Sequence, residues 1–303
     1  MKRTGTALIL LSLLALAACQ GSSVPSELQL LEDRAGIVGG KATRETTDPA
    51  YWSVAALELE ISVSSLQGSK KENSFCTGTL IEKNVILTAA HCLLPAEKNP
   101  FASVTISGFA VFPQTGERYS VKRAVGHGEY DENVTKDSSG TTLASPTADI
   151  AILLLDRDVS EPLRPALLPT NSTEDNASIK TRIYGYGAEN YMNRFFSTQA
   201  SETDAEEDES KMPLRWVDAE GTVRKLQLRY DQTGGKGFCK GDSGGPHFIY
   251  ENKEPVVIAV SSSVTNVSLN TPDWCRRESV AILVESYLPW LQKSIAELQS
   301  ISN

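Results

Sequence analysis

Ser243 lies in the run Phe-Cys-Lys-Gly-Asp-Ser-Gly-Gly-Pro-His-Phe, Phe238 to Phe248, with glycine or aspartate at its near neighbours. A serine hydroxyl is a weak nucleophile at neutral pH and attacks a carbonyl only when a base within hydrogen-bond reach takes its proton. Three histidines are available for that role: His91 in Leu-Thr-Ala-Ala-His-Cys, His127 in Val-Gly-His-Gly-Glu-Tyr, and His247 just beyond the serine. Of these, His91 stands beside a cysteine on an apolar run. Asp149 opens the stretch Ile-Ala-Ile-Leu-Leu-Leu, where a buried carboxylate needs a donor to offset its desolvation, and a histidine ring N–H is such a donor.

Chain order separates the readings. Gly241-Asp242-Ser243-Gly244-Gly245 fits the loose pattern G-x-S-x-G, which is weak alone. An α/β-hydrolase carries its histidine well downstream of the serine, after an acid, and here only His247 follows, which disfavours an esterase on that fold. The order His91, Asp149, Ser243 is one of the known orders of a Ser-His-Asp triad. Taken singly, the three residues read equally well as a packed core histidine, a strand-end carboxylate and a glycine-rich turn. Together they point to acyl transfer.

The elements that would hold these residues are mostly strands. Runs rich in β-branched and apolar residues recur at Trp52 to Leu59, Ser103 to Phe112, Ile150 to Leu155, Thr181 to Tyr186, Val223 to Leu228, Val256 to Val264 and Ser279 to Val284. No heptad, repeat or βαβ alternation appears, so the expected fold is all-β, closed or sandwiched and antiparallel. Helical spacing is confined to the end, where Leu291, Ile295 and Leu298 recur with Pro289 just before them. The acidic stretch Ser201 to Ser210, with six carboxylates in ten residues, reads as a solvated loop.

The N-terminus reads as an export signal. Lys2 and Arg3 precede an apolar stretch, Ala7 to Ala18, that is too short to span a membrane. It ends Leu-Ala-Ala-Cys, which looks like a bacterial lipobox with Cys19 as the lipidated residue; an ordinary secretory signal, with Cys19 incidental, is the other reading. Residues 1–18 are thus expected to be signal peptide and 19–36 a polar linker. Removing Cys19 from the five cysteines leaves Cys76, Cys92, Cys239 and Cys275, an even set suited to two disulfides in an oxidising compartment, with three pairings open. A formal charge of -9 argues against nucleic acid as a partner.

Four segments in order, Ile-Val-Gly-Gly at Ile37, Leu-Thr-Ala-Ala-His-Cys at Cys92, Ala-Asp-Ile-Ala-Ile-Leu around Asp149 and Gly-Asp-Ser-Gly-Gly-Pro from Gly241, resemble the chymotrypsin-like (trypsin-fold) serine proteases. The resemblance runs through residues 37–303 as one protease domain. It implies two six-stranded antiparallel β-barrels with a C-terminal helix, the site lying between them, and protein or peptide substrates. It implies His91 as general base, Asp149 as its orienting acid, Ser243 as nucleophile, and the N–H groups of Gly241 and Ser243 as oxyanion hole. It pairs Cys76 with Cys92 and Cys239 with Cys275. It makes Ile-Val-Gly-Gly an activation site, where an activating protease frees the Ile37 amine to pair with Asp242. It places Gly237 at the base of the primary pocket, Phe238 as a residue narrowing it, and Ser261, Ser262 and Ser263 along its wall, with Ser262 where the family usually has tryptophan. With no carboxylate at Gly237, specificity for Arg or Lys is not expected. His127 is expected in a surface turn and His247 facing inward on a strand. No catalytic metal or other cofactor is expected. A non-catalytic, protease-fold binding protein is the alternative function.

Overall fold

The computed structural model describes residues 37–43, 46–66, 68–94, 103–187, 213–266 and 275–300. The signal, Cys19, the linker and the acidic stretch 201–210 lie outside the described residues.

After a short strand β1 (Lys41–Thr43), a first closed barrel is built from β2 (Val54–Ser65), β3 (Gly68–Glu82), β4 (Val85–Thr88), β5 (Ser103–Phe112) and β6 (Glu117–Gly126). A small hairpin, β7 (Val134–Lys136) with β8 (Thr142–Ala144), precedes the strand that completes it, β9 (Ala151–Leu155), in the order β2-β3-β4-β9-β6-β5. The second barrel takes β10 (Ser178–Gly185), β11 (Leu214–Arg224), β12 (Gln227–Asp231), β13 (Pro246–Glu251), β14 (Glu254–Thr265) and β15 (Glu278–Leu283). Its order is β11-β10-β13-β14-β15-β12, closed by β11 against β12, with β1 added along β11. All the pairings are antiparallel. The two closed six-stranded barrels are those expected.

Burial follows position. Every residue of β9 is buried, because the strand faces the barrel interior on one side and the C-terminal helix α1 (Leu288–Ser300) packs on it. Leu291, Ile295 and Leu298 are the buried face of α1, each apolar side chain contributing about 1.5–3 kcal/mol on burial. Pro289 stands in the first turn, where its missing N–H breaks no helical bond.

Two of the expected runs depart from the strands by more than a shift of their ends. Trp52 belongs to a 3-10 turn, Pro49–Trp52, capped by the Asp48 carboxylate, and β2 starts after it. The run Val223 to Leu228 is not one strand but a hairpin, Arg224 pairing with Gln227 and Lys225 turning through φ +56. Apolar content there marks the two strand ends rather than a continuous strand.

Candidate active site

His91 sits in a 3-10 turn, Ala90–Cys92, directly after β4, and Asp149 directly precedes β9, the strand paired with β4. This adjacency brings the two together across 58 residues of sequence: His91 Nδ1 is 2.7 Å from an Asp149 carboxylate oxygen, and the other oxygen accepts the His91 backbone N–H at 2.9 Å. The Ser262 hydroxyl donates to the oxygen that faces the ring. Asp149 is 1% exposed. Burial works to raise its pKa, but the His91 charge, the ring hydrogen bond and the Ser262 hydroxyl together hold it below the ordinary carboxylate value. For His91, burial works downward, and the charge and hydrogen bond of Asp149 outweigh it, leaving the imidazole above its ordinary value. With Nδ1 committed to Asp149, Nε2 is left to accept a proton.

Ser243 is half-buried on the turn between β12 and β13, facing the first barrel. Thr77, in β3, fastens that turn. Its N–H donates to Ser243 O at 2.8 Å, its hydroxyl donates to Gly241 O at 2.9 Å, and the same hydroxyl accepts the Tyr186 N–H at 3.1 Å. The Cys76–Cys92 disulfide flanks the contact, with Cys92 Sγ 3.8 Å from Ser243 O. Among the described residues, no hydrogen bond joins Ser243 Oγ to His91, and neither the Gly241 nor the Ser243 N–H donates within the protein. Gly241 holds φ +83 and a Cβ there would lie 2.7 Å from the Gly187 backbone, so the turn requires glycine. Asp242 between them is fully buried and accepts N–H bonds from Cys239 and Gly187 at 2.9 and 3.0 Å. Burial drives its pKa up to about 7, against the pull of those two donors and of Arg215. Ile37 is buried in the core of the second barrel with Ile183, Val217 and Phe238, and Val38 pairs with Gly237 through both backbone bonds.

The second disulfide, Cys239–Cys275, forms as the resemblance implies. The residues expected around the primary pocket take the following places. The Phe238 ring does not line a cleft; it is buried edge-on against His247 and Tyr230 inside the barrel. Ser261 is fully buried too, its hydroxyl taken by His247 Nε2 at 2.9 Å and its backbone bonded to Gly244 and Gly245. Ser262 donates to Asp149, beside a bulge between Ser261 and Ser263. Ser263 Oγ is buried with no partner among the described residues. His247 faces inward, as expected, its Nδ1 meeting the Tyr230 hydroxyl at 2.8 Å, and burial lowers its pKa to about 3. His127 opens a turn, as expected, and is half-buried there, edge-on to Tyr287 and tilted against Trp290 where α1 begins. Among the described residues, the group with metal-ligand spacing is Cys76, His91 and Cys92, whose sulfurs are bonded to each other.

Thr77 and Gln232, whose buried side-chain amide sits against Gly237, were not singled out from the sequence. Thr77 bonds across more than a hundred positions, and two of the three residues that Gln232 bonds lie more than forty positions away, so neither leaves a local pattern.

Twin antiparallel barrels braced by disulfides, with an imidazole–carboxylate pair on one and a glycine-rich serine turn on the other, define the class: a hydrolase of the serine endopeptidase type. The trypsin family model matches residues 53–291, and the chain belongs to that family. It is 24% identical over 301 residues to serine protease 28 of Mus musculus, covering 94% of this chain and 98% of the relative. It is 26% identical over 272 residues to chymotrypsin-like elastase family member 1 of Felis catus, covering 88% and 91%. A solved structure of HL collagenase superposes over 86% of this chain and 99% of that one with TM-score 0.52 and 17% identity, a likeness of fold.

Proposed function

We propose that the chain is an exported endopeptidase working through an acyl-enzyme on Ser243. The observation that carries this reading is the buried Asp149 carboxylate bonded to both the ring and the backbone of His91, with Nε2 left as acceptor. His91 takes the Ser243 proton as Oγ attacks the peptide carbonyl, and Asp149 stabilises the imidazolium. The undonated N–H groups of Gly241 and Ser243 receive the oxyanion. His91 then gives the proton to the leaving amine, and a water repeats the sequence to release the acid.

Activation by cleavage before Ile37 is part of the same proposal. It is supported by Ile37 lying in the core of the second barrel and by Asp242 being buried with no contacting cation among the described residues. The freed amine supplies that cation. Two disulfides support export, and a lipid on Cys19 would hold the uncut chain at a membrane until cleavage releases residues 37–303. Gly36, rather than Arg or Lys, precedes Ile37, so the activating protease is not trypsin-like, or it cuts after Arg34 and trimming follows.

A fluorophosphonate probe tests the reading. The cleaved chain reacts with it at Ser243, and Ser243→Ala neither reacts nor hydrolyses peptides above about a thousandth of the parent rate. Turnover retained in Ser243→Ala overturns the nucleophile; a cleaved wild type that is inert to the probe favours the binding-protein alternative.

A further inference from the structure

Gln232 follows the last residue of β12 and is fully buried, a place where unmet amide hydrogen bonds are costly. It meets them all. Nε2 donates to Phe238 O at 3.1 Å and to Cys275 O; Oε1 accepts the Phe238 N–H at 2.6 Å and the Ser279 hydroxyl at 2.8 Å. A primary amide has two donor hydrogens and two acceptor lone pairs, so the side chain is saturated. Its backbone is committed as well, N–H to Arg277 O at 2.7 Å and carbonyl to the Gly235 N–H at 2.9 Å. One side chain thereby ties together Phe238, on the segment leading to Ser243, Cys275, the far end of the second disulfide, and Ser279 in β15.

Gly237 shows what this amide displaces. Its φ is +154, and a Cβ built on it would stand 1.7 Å from Gln232 Oε1 and 2.3 Å from Cδ. No neighbour could yield cheaply, because moving that oxygen breaks two buried hydrogen bonds. The space a side chain at 237 would use is already filled from position 232.

We propose that Gln232 sets the specificity of the primary pocket: it fixes the pocket base in the place of a side chain from Gly237, and it does so with an amide that has no hydrogen bond left to offer. This rests on the proteolytic reading above, which puts Gly237 at that base. A charged residue before the scissile bond, acidic or basic, would lose its water at this base and gain no hydrogen bond from the saturated amide, so small or apolar residues are favoured. A further consequence is that a carboxylate cannot be installed by changing Gly237 alone. Aspartate there collides with the amide, whereas removing the amide also releases the segment from the two bonds at Phe238 and lets it relax to a φ that aspartate accepts.

The test compares the cleaved full chain with Gly237→Asp and with Gly237→Asp/Gln232→Ala, using a peptide library varied at the residue before the scissile bond and a fluorophosphonate probe for the intact site. Wild type is expected to prefer uncharged residues, and Gly237→Asp to gain no cleavage after Arg or Lys. The double variant is expected to shift its kcat/KM ratio toward Arg and Lys by about tenfold or more over Gly237→Asp. A gain of about tenfold in Gly237→Asp alone would overturn the role of Gln232 while the probe reaction shows the protease reading intact. A wild-type preference for any charged residue would overturn it equally, without need of a variant that folds. A wild type that neither reacts with the probe nor cleaves any peptide sinks the proteolytic reading, and this inference with it.

Discussion

Asp149 and Asp242 are buried to the same degree, 1% and 0% exposed, yet they stand on opposite sides of the ordinary carboxylate pKa. Desolvation is the largest influence on both. Asp149 faces an imidazole that can carry a positive charge and takes a hydroxyl and an N–H besides, so its anion is retained. Asp242 has two backbone donors and a guanidinium charge that it does not contact, and these do not offset the cost. Charge in this site therefore depends on a contacting cation, not on depth. In the first barrel that cation is built in; in the second no described residue supplies it.

The largest break in this contrast comes from removing the first barrel's charge. Asp149→Asn should lower kcat by about 10⁴, the scale seen when a triad acid becomes an amide. In the parent, kcat/KM should fall with acid through an apparent pKa above 6.5, and in the variant this limb should move to lower pH because the charge that raised His91 is gone. A pH–rate series measures both; an unmoved limb would show that Asp149 does not set the His91 pKa.

Next in size is the second barrel's aspartate, read through the stability of the uncut chain. Its folded pKa of about 7 stands above the ordinary 3.8, so the stability it contributes is complete below about pH 4 and is lost as the pH rises through 7. The amount is about 4 kcal/mol. Denaturant titrations of the uncut Ser243→Ala chain between pH 4 and 8 should show this decline, and adding Asp242→Asn should remove it. A decline of the same size with asparagine present would assign it elsewhere. After cleavage before Ile37 the sign should reverse, because a neighbouring amine favours the anion.

Thr77→Val strips a hydroxyl that serves Gly241 O and the Tyr186 N–H, leaving both buried groups unpaired. Loss of about 2–3 kcal/mol of stability and about tenfold in kcat is expected, and equilibrium unfolding beside steady-state kinetics would reveal a full rate with reduced stability if the bolt were merely structural. Ser262→Ala is the gentlest. Asp149 keeps its two bonds from His91, so kcat/KM should fall only about fivefold. A loss comparable to Asp149→Asn would make Ser262 a full member of the charge pair.

What the sequence revealed of this site was the chemistry that demands particular residue types. His91, Asp149 and Ser243 stand in short motifs whose local surroundings the sequence records. Thr77, Ser262 and Gln232 do their work through one hydroxyl or one amide aimed across the fold. Nothing near Thr77 in sequence announces Gly241, 164 residues on. The strand calls divide similarly. Ser103 to Phe112 matches β5 at both ends, whereas β6, Glu-Arg-Tyr-Ser-Val-Lys-Arg-Ala-Val-Gly, has too many charges to read as an apolar run and is a strand because β5 and β9 flank it. The bulge between Ser261 and Ser263 was not legible either, because a β-bulge is a property of the pairing, not of the residues.

The Thr77 contact has a consequence for how the molecule comes into being. A residue of the first barrel closes the Ser243 turn of the second, and such a long-range closure is an expensive and late step on a folding path. Each barrel can acquire its own strands while the serine turn is still unformed. Recovery of activity on refolding should therefore lag the return of β-sheet signal, the delay timing the docking of one barrel on the other.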